Sequence, residues 1–257
     1  MGNGPGSLSR IVSAHDYATR TTAIAVRIGQ AVERSAVQAL LRDGTDALGA
    51  QSAVFVGFER RGVDVSPDRF MLACDPEWYR RYVALDLIPH DPWLAYAAHQ
   101  CEPILASSLP VTEPVPQQAI DLAAQHGFAS TVLIPAHSGA DRSRMSVLCL
   151  GSATPGFFED EGFAALRVSA RSIALELHDW WRARLRRELT VKAHITAGDL
   201  VLLRHERQGH SSKQIASELG VSKSSIDSRF QRMNAKLRVP NKSLAVKLAL
   251  EHGLILG

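Results

Sequence analysis

The sequence predicts an α+β protein in two parts: a layered α/β/α sandwich over residues 10–185 and a small all-α domain over 196–257, joined by a linker at 186–195. Three observations predict it. Apolar residues at helical spacing flank strand-like segments rich in β-branched and aromatic residues in the first part, whereas the last part carries helical patterning alone. The charge also changes sign: residues 1–181 hold fourteen Arg, no Lys and twenty carboxylates, net −6, and residues 182–257 hold fifteen Lys and Arg against six carboxylates, net +9. At 257 residues, 46% hydrophobic and 21% charged, the chain has the length for one large or two ordinary domains. That composition excludes a wholly disordered, collagen-like or coiled-coil protein.

Taken in order, Met1 to Arg10 is a Gly- and Ser-rich leader; Pro5 interrupts Gly2, Gly4 and Gly6, and no hydrophobic signal core follows. No apolar run approaches the roughly 18 residues of a bilayer span, so a cytoplasmic protein with no membrane partner is expected. Thr21–Leu48 has helical spacing at Val26, Ile28, Val32, Val37 and Leu40/Leu41, and Ser52–Glu59 (SAVFVGFE) is strand-like. Helices are predicted near Pro76–Ala84, Pro92–His99 and Gln117–His126, and strands at Ser130–Ile134 and Met145–Leu150 around a turn at Ser138–Arg144. Phe157–Leu185 reads as one long helix, with Phe163, Leu166, Ala170, Ile173, Leu177 and Trp180/Trp181 on one face. It ends in Arg182, Arg184, Arg186 and Arg187, and Glu188–Ile195 shows no period. Cys74, Cys101 and Cys149 form neither a CxxC pair nor a zinc knuckle and are expected to be small buried hydrophobes in a reducing compartment.

The basic segment opens with Thr196 and Asp199 at helix-start spacing, then Leu200, Leu202 and Leu203, and Gly209 stops the helix. Ser211 and Gln214 repeat the capping spacing before Ile215, Ala216 and Leu219; Gly220 supplies a turn and Ser222 a further cap. A helix, a Gly-containing turn and a second helix make a helix-turn-helix. In the next helix Ile226, Phe230, Met233 and Leu237 form the core stripe, and the opposite face shows Lys223, Ser224, Asp227, Ser228, Gln231, Arg232 and Lys236. Those are the residue types that discriminate base edges, flanked by cations for phosphates, on a segment whose net charge suits a polyanion.

In the acidic part the informative stretch is DPEWYRRYVALDLIPHDP, residues 75–92. Trp78 and Tyr82, four apart, project an indole N–H and a phenol O–H from one helical face, both suited to donate to a carbonyl in an apolar pocket. Asp91 can accept an amide N–H. It equally suits an N-cap with Pro92 at the first helical position, and the two aromatics equally suit an ordinary core.

Thr196–Leu254, with the Gly209 turn, KQIASELGVSKSSI and KLRVPNKSLAVKLALEHGLI, resembles the LuxR-type helix-turn-helix. The resemblance implies four helices, the third in the major groove and the fourth, about Lys242–His252, helping to pair two copies. By position it puts Asp227, Ser228 and Gln231 at base edges and Lys223, Arg229 and Arg232 on phosphates, with Asp227 replacing the family's usual Lys. Trp78, Tyr82, Asp91 and Pro92 match the W-x3-Y-x8-D-P pattern of the autoinducer-binding domain that precedes this reader in quorum-sensing regulators. That implies an N-acyl-homoserine lactone as ligand: Trp78 donating to the lactone carbonyl, Asp91 accepting the amide N–H, Tyr82 fixing the acyl carbonyl. Ala106, Cys74 and Thr131 stand where the family commonly has Trp, Tyr and Gly, and Trp93 is placed to refill the vacated space. A different small molecule, or a ligand-independent regulator, is the alternative. Partners implied are double-stranded DNA at a pseudo-palindromic site and a second copy of the chain.

Catalytic, cofactor and metal readings are set aside. His205-Glu206 is followed by His210, one residue beyond the H-E-x-x-H spacing, and no G-x-S-x-G elbow or P-loop occurs.

Overall fold

The computed structural model describes residues 6–61, 64–137 and 144–255. The leader glycines at 2 and 4, and all but the last residue of the expected turn at 138–144, lie outside the described residues. The chain divides into two compact units, residues 1–180 and 181–257.

The first unit runs α1 (Leu8–Val12), α2 (Tyr17–Gln30), α3 (Arg34–Ala47), β1 (Ser52–Arg61), β2 (Asp64–Ala73), α4 (Pro76–Ala84), α5 (Pro92–His99), β3 (Ile104–Leu105), α6 (Pro114–Gln125), β4 (Ser130–Ala136) and β5 (Arg144–Ser152). It ends in α7 (Phe163–Lys192), which crosses the unit boundary. The strands form one antiparallel sheet in the order β2-β1-β5-β4-β3. Every residue of β4 and β5 is buried, as a sheet covered on both faces requires. Val54, Val56 and Phe58 of β1, with Leu133, Met145, Val147 and Cys149, pack on α4, α5 and α6. On the other face Ser146 of β5 meets His178 of α7 at 2.9 Å, and α3 approaches Ile24 of α2 and Ile173 of α7 at Gly44. This is the α/β/α sandwich. Each fully buried Leu, Val, Ile or Phe in those layers contributes roughly 1.5–3 kcal/mol.

Three elements differ from the sequence reading. The Thr21–Leu48 stretch is two helices, because Ala31 is extended at φ −73°, ψ 137°; Val26, on the outer face of α2, and Val32, between the helices, face solvent. Strand β2 was not expected, since its sequence DVSPDRFMLA contains Pro67 and two Asp; it lies at the sheet's edge, where a proline is tolerated. Arg34 Nη2 and Gln38 Nε2 of α3 donate to the carbonyls of Phe70 (3.3 Å) and Leu72 (2.7 Å) on that strand. Third, α7 continues to Lys192, so most of the expected 186–195 linker is helical; Leu189 packs against the second unit's core and supplies the missing period. Cys149 is buried as expected, but Cys101 is exposed.

In the second unit α8 (Ala197–Arg207), α9 (Ser212–Leu219), α10 (Lys223–Leu237) and α11 (Lys242–Glu251) enclose Leu202, Leu203, Ile215, Ile226, Phe230, Met233, Leu237, Ala245 and Ala249. Thr196 with Asp199, and Ser211 with Gln214, form reciprocal capping boxes. Ser222 accepts from Ser225 N, and Asn241 caps α11. Gly220 sits at φ 65°, ψ 32°, the left-handed conformation that ends α9 and lets α10 turn away.

Candidate functional site

Helix α4 begins because Asp75 accepts from Glu77 N at 2.9 Å and Pro76 occupies the first helical position. Asp75 also bonds His126 at 3.1 Å, linking the start of α4 to the end of α6; the Glu77 amide and then His126 hold its carboxyl below the usual range. The helix buries Trp78 and Tyr82, whose rings stack at 5.1 Å and 25°.

Asp91 caps α5 as its neighbour Pro92 suggested: Oδ1 accepts from Trp93 N at 2.6 Å and Leu94 N at 3.1 Å. Its Oδ2 accepts from the Tyr82 hydroxyl in a short hydrogen bond. The cap and the candidate ligand-binding residue are therefore the same side chain. Asp91 is only 7% exposed. Burial raises its carboxyl above the ordinary value, against the lowering effect of the Tyr82 hydroxyl and the two amides. Burial, then the Asp91 charge, pushes up both the Tyr82 phenol and the neighbouring Cys149 thiol.

Among the described residues, two donors in this cluster lack a partner. The indole Nε1 atoms of Trp78 and Trp93 are buried without an acceptor, and Phe128 lies between the two rings at 5.7 and 6.1 Å. Phe128 is held there by close passage over Gly151 of β5, where a Cβ would come within 2.4 Å of its ring. A cavity of about 260 Å³ opens beside Trp93 and Phe128, lined also by Ala106, Leu109, Ile120 and Thr131. At its polar side Glu159 accepts from the hydroxyls of Ser107 and Ser130, each at 2.8 Å.

The structure thus brings Trp78, Tyr82, Asp91 and Trp93 together, and places Trp93, Ala106 and Thr131 around one cavity. Cys74 packs against the same cluster but lines a different space, an open groove of about 720 Å³ shared with Arg34, Arg42, Tyr79 and Ile88; burial and Asp75 push its thiol up to about 12. Sequence reasoning missed Phe128, Ser130 and Glu159, since Phe128 follows a helix end and the other two meet across 29 residues.

On α10 the expected outer face is exposed or half-exposed: Lys223, Ser224, Asp227, Ser228, Arg229, Gln231 and Arg232. Several of these pair along the helix. Lys223 Nζ lies 3.2 Å from Asp227, and Arg232 Nη1 donates to Ser228 Oγ at 3.1 Å. The Ser212 hydroxyl of α9 and then Lys223 hold the Asp227 carboxyl below the usual range. Lys236 is turned inward instead, donating to His194 O at 2.8 Å and Asp199 Oδ2 at 3.0 Å.

A family model described as the autoinducer binding domain matches residues 33–179, and one described as bacterial regulatory proteins, luxR family, matches residues 200–249. No curated protein sequence matches the chain. Among solved structures it is similar to Escherichia coli SdiA, with TM-score 0.69 and 16% identity over 94% of this chain and 100% of that one. SdiA in complex with octanoyl-rac-glycerol gives 0.68 and 16% over 95% and 99%. CepR2 from Burkholderia cenocepacia, described as an N-acylhomoserine lactone dependent LuxR family transcription factor, gives 0.55 and 20% over 66% and 97%. At these identities the likeness shows the shared fold.

Proposed function

The chain belongs to the luxR-type family of quorum-sensing transcription regulators, which join an autoinducer-binding domain to a DNA-binding domain, and we propose that its small-molecule ligand is an N-acyl-homoserine lactone. One observation carries this reading: two buried indole N–H groups lack acceptors in the same apolar cluster as a buried carboxylate. Buried donors are nearly always satisfied, and a carbonyl-bearing ligand supplies an acceptor for the Trp78 indole. Trp78 Nε1 donates to the lactone carbonyl. The ligand's amide N–H displaces the Tyr82 hydroxyl from Asp91, and the freed hydroxyl turns to the acyl carbonyl. Trp93 stands beside Ala106, in the space the smaller residue leaves. The cavity there, about 260 Å³, leaves room beside the Trp93 ring for part of a small ligand.

For DNA, Asp227, Ser228 and Gln231 meet base edges, Lys223, Arg229 and Arg232 meet phosphates and Ser224 lies among them, in a cytoplasmic homodimer on a pseudo-palindromic duplex. Ligand bound more tightly by the DNA-competent state shifts the population towards it. Ligand-independent action is the second reading, favoured by the complete satisfaction of Asp91 within the chain.

The test is the melting temperature of the chain, and its affinity for duplex DNA, with and without a panel of acyl-homoserine lactones. A ligand at a hundred times its Kd stabilises by about 2.7 kcal/mol, which raises the parent's melting point. Trp78→Phe, which keeps an aromatic ring and removes the donor, should lose most of that rise. No shift with any lactone would leave the ligand-independent reading standing.

A further inference from the structure

The histidines set aside for missing the H-E-x-x-H spacing meet by another route. Gly209, at φ +80°, reverses the chain after α8, and His210, immediately before the Ser211 cap, turns back towards His205. Their rings lie 5.2 Å apart with the two Nδ1 atoms at 3.0 Å. Glu218, in the last turn of α9, faces both, with Oε2 at 3.3 Å from His205 Nδ1 and Oε1 at 3.5 Å from His210 Nδ1.

We propose that His205, His210 and Glu218 form a divalent transition-metal site, zinc by its donor set, that ties the end of α8 to α9. Tetrahedral zinc with bonds of about 2.0–2.2 Å spaces its ligand atoms about 3.3–3.6 Å apart; each imidazole already lies at that spacing from its own Glu218 oxygen, and a small turn of the half-exposed carboxylate offers one oxygen to both. The two rings need to part by about 0.3 Å to admit the ion. Three side chains bring lone-pair atoms together here, and a divalent cation serves all three. Two imidazoles with one carboxylate select zinc-like ions over magnesium or calcium. The side chains are 17%, 30% and 48% exposed, which gives the ion an entry path and leaves water a fourth position. The site lies within the DNA-binding unit and fastens the helix that precedes α10, so metal would set the rigidity of the reader. It does not rest on the lactone reading.

The full-length chain, freed of metal with a chelator, should take up one equivalent of Zn²⁺ and melt at a higher temperature with it. His210→Gln and Glu218→Gln keep size and hydrogen bonding but remove a ligand, and each should weaken Zn²⁺ binding by at least about tenfold. Both should melt like the metal-free parent when metal is absent. Co²⁺ added to the parent should give visible d–d absorption that both variants lose. Failure of the parent to bind Zn²⁺, or unchanged binding in both variants, would overturn the site. If a variant melts early without metal, the parent's Co²⁺ spectrum decides: visible bands uphold the site and their absence removes it.

Discussion

Tyr82→Phe removes one oxygen and leaves a 2% exposed ring in its stack with Trp78. The change therefore opens almost no cavity, and its cost falls on Asp91, whose Oδ2 loses the hydroxyl that donates to it inside the core. A hydrogen bond to a charged group contributes about 1.5–3 kcal/mol, and an unsatisfied buried acceptor forfeits that range. For a unit of this size 1 kcal/mol moves the melting point about 2–4 °C, so the variant should melt about 3–12 °C lower without ligand. Tryptophan fluorescence mainly follows this transition, because three of the four Trp, at 78, 93 and 180, lie in the first unit. The sign with pH is also determined. The Tyr82 hydroxyl lowers the Asp91 pKa, so it stabilises the ionised form, and the deficit should be largest near neutrality and shrink as acid protonates the carboxyl. A lactone whose amide takes the vacant acceptor position should narrow the deficit as well. A variant as stable as the parent at neutral pH would show that the hydroxyl does not support a buried carboxylate, and the proposed exchange with ligand would fall with it.

Asp91→Asn tests the same group from the other side. The folded carboxyl is raised above its ordinary value, so the native state holds the proton more tightly than the unfolded chain, and the parent should lose stability as pH rises through that window while the Asn variant does not; parallel stability curves in acid titrations would contradict this. Asp227→Ala frees Lys223 from its 3.2 Å partner and removes a carboxylate from the face proposed to meet DNA, so binding to arbitrary duplex should tighten and its salt dependence steepen, as read by fluorescence anisotropy across a salt series. Gly220→Ala meets no atom within 4 Å, so its cost is the left-handed backbone alone, about 1–2 kcal/mol, measurable as a lower melting point of the helical unit.

The second unit was legible almost residue by residue, because its boundaries are written in local chemistry. Thr196 with Asp199, Ser211 with Gln214, Gly220 and Ser222 each act within three or four positions of themselves, and the Ile226–Leu237 stripe has a single period. In the first unit the pair Trp78 and Tyr82 was legible as a helical face, but their meeting with Asp91 came from the resemblance, since nothing local says that a capping residue will also receive a phenol. Strand β2 was hidden because an edge position relaxes the pattern that central strands obey. The last turns of α7 were hidden because Arg186 and Arg187 interrupt the apolar period that Leu189 resumes. The meeting of His205, His210 and Glu218 depends on where a glycine turn sends the chain, which spacing along one helix does not encode.

The guanidinium and amide that α3 lays on Phe70 and Leu72 have an effect beyond the fold itself. An open border strand invites a stranger's backbone to zip onto it, and here two of the outward carbonyls are already engaged by side chains of the same molecule. Amyloid-like stacking along that margin is therefore discouraged.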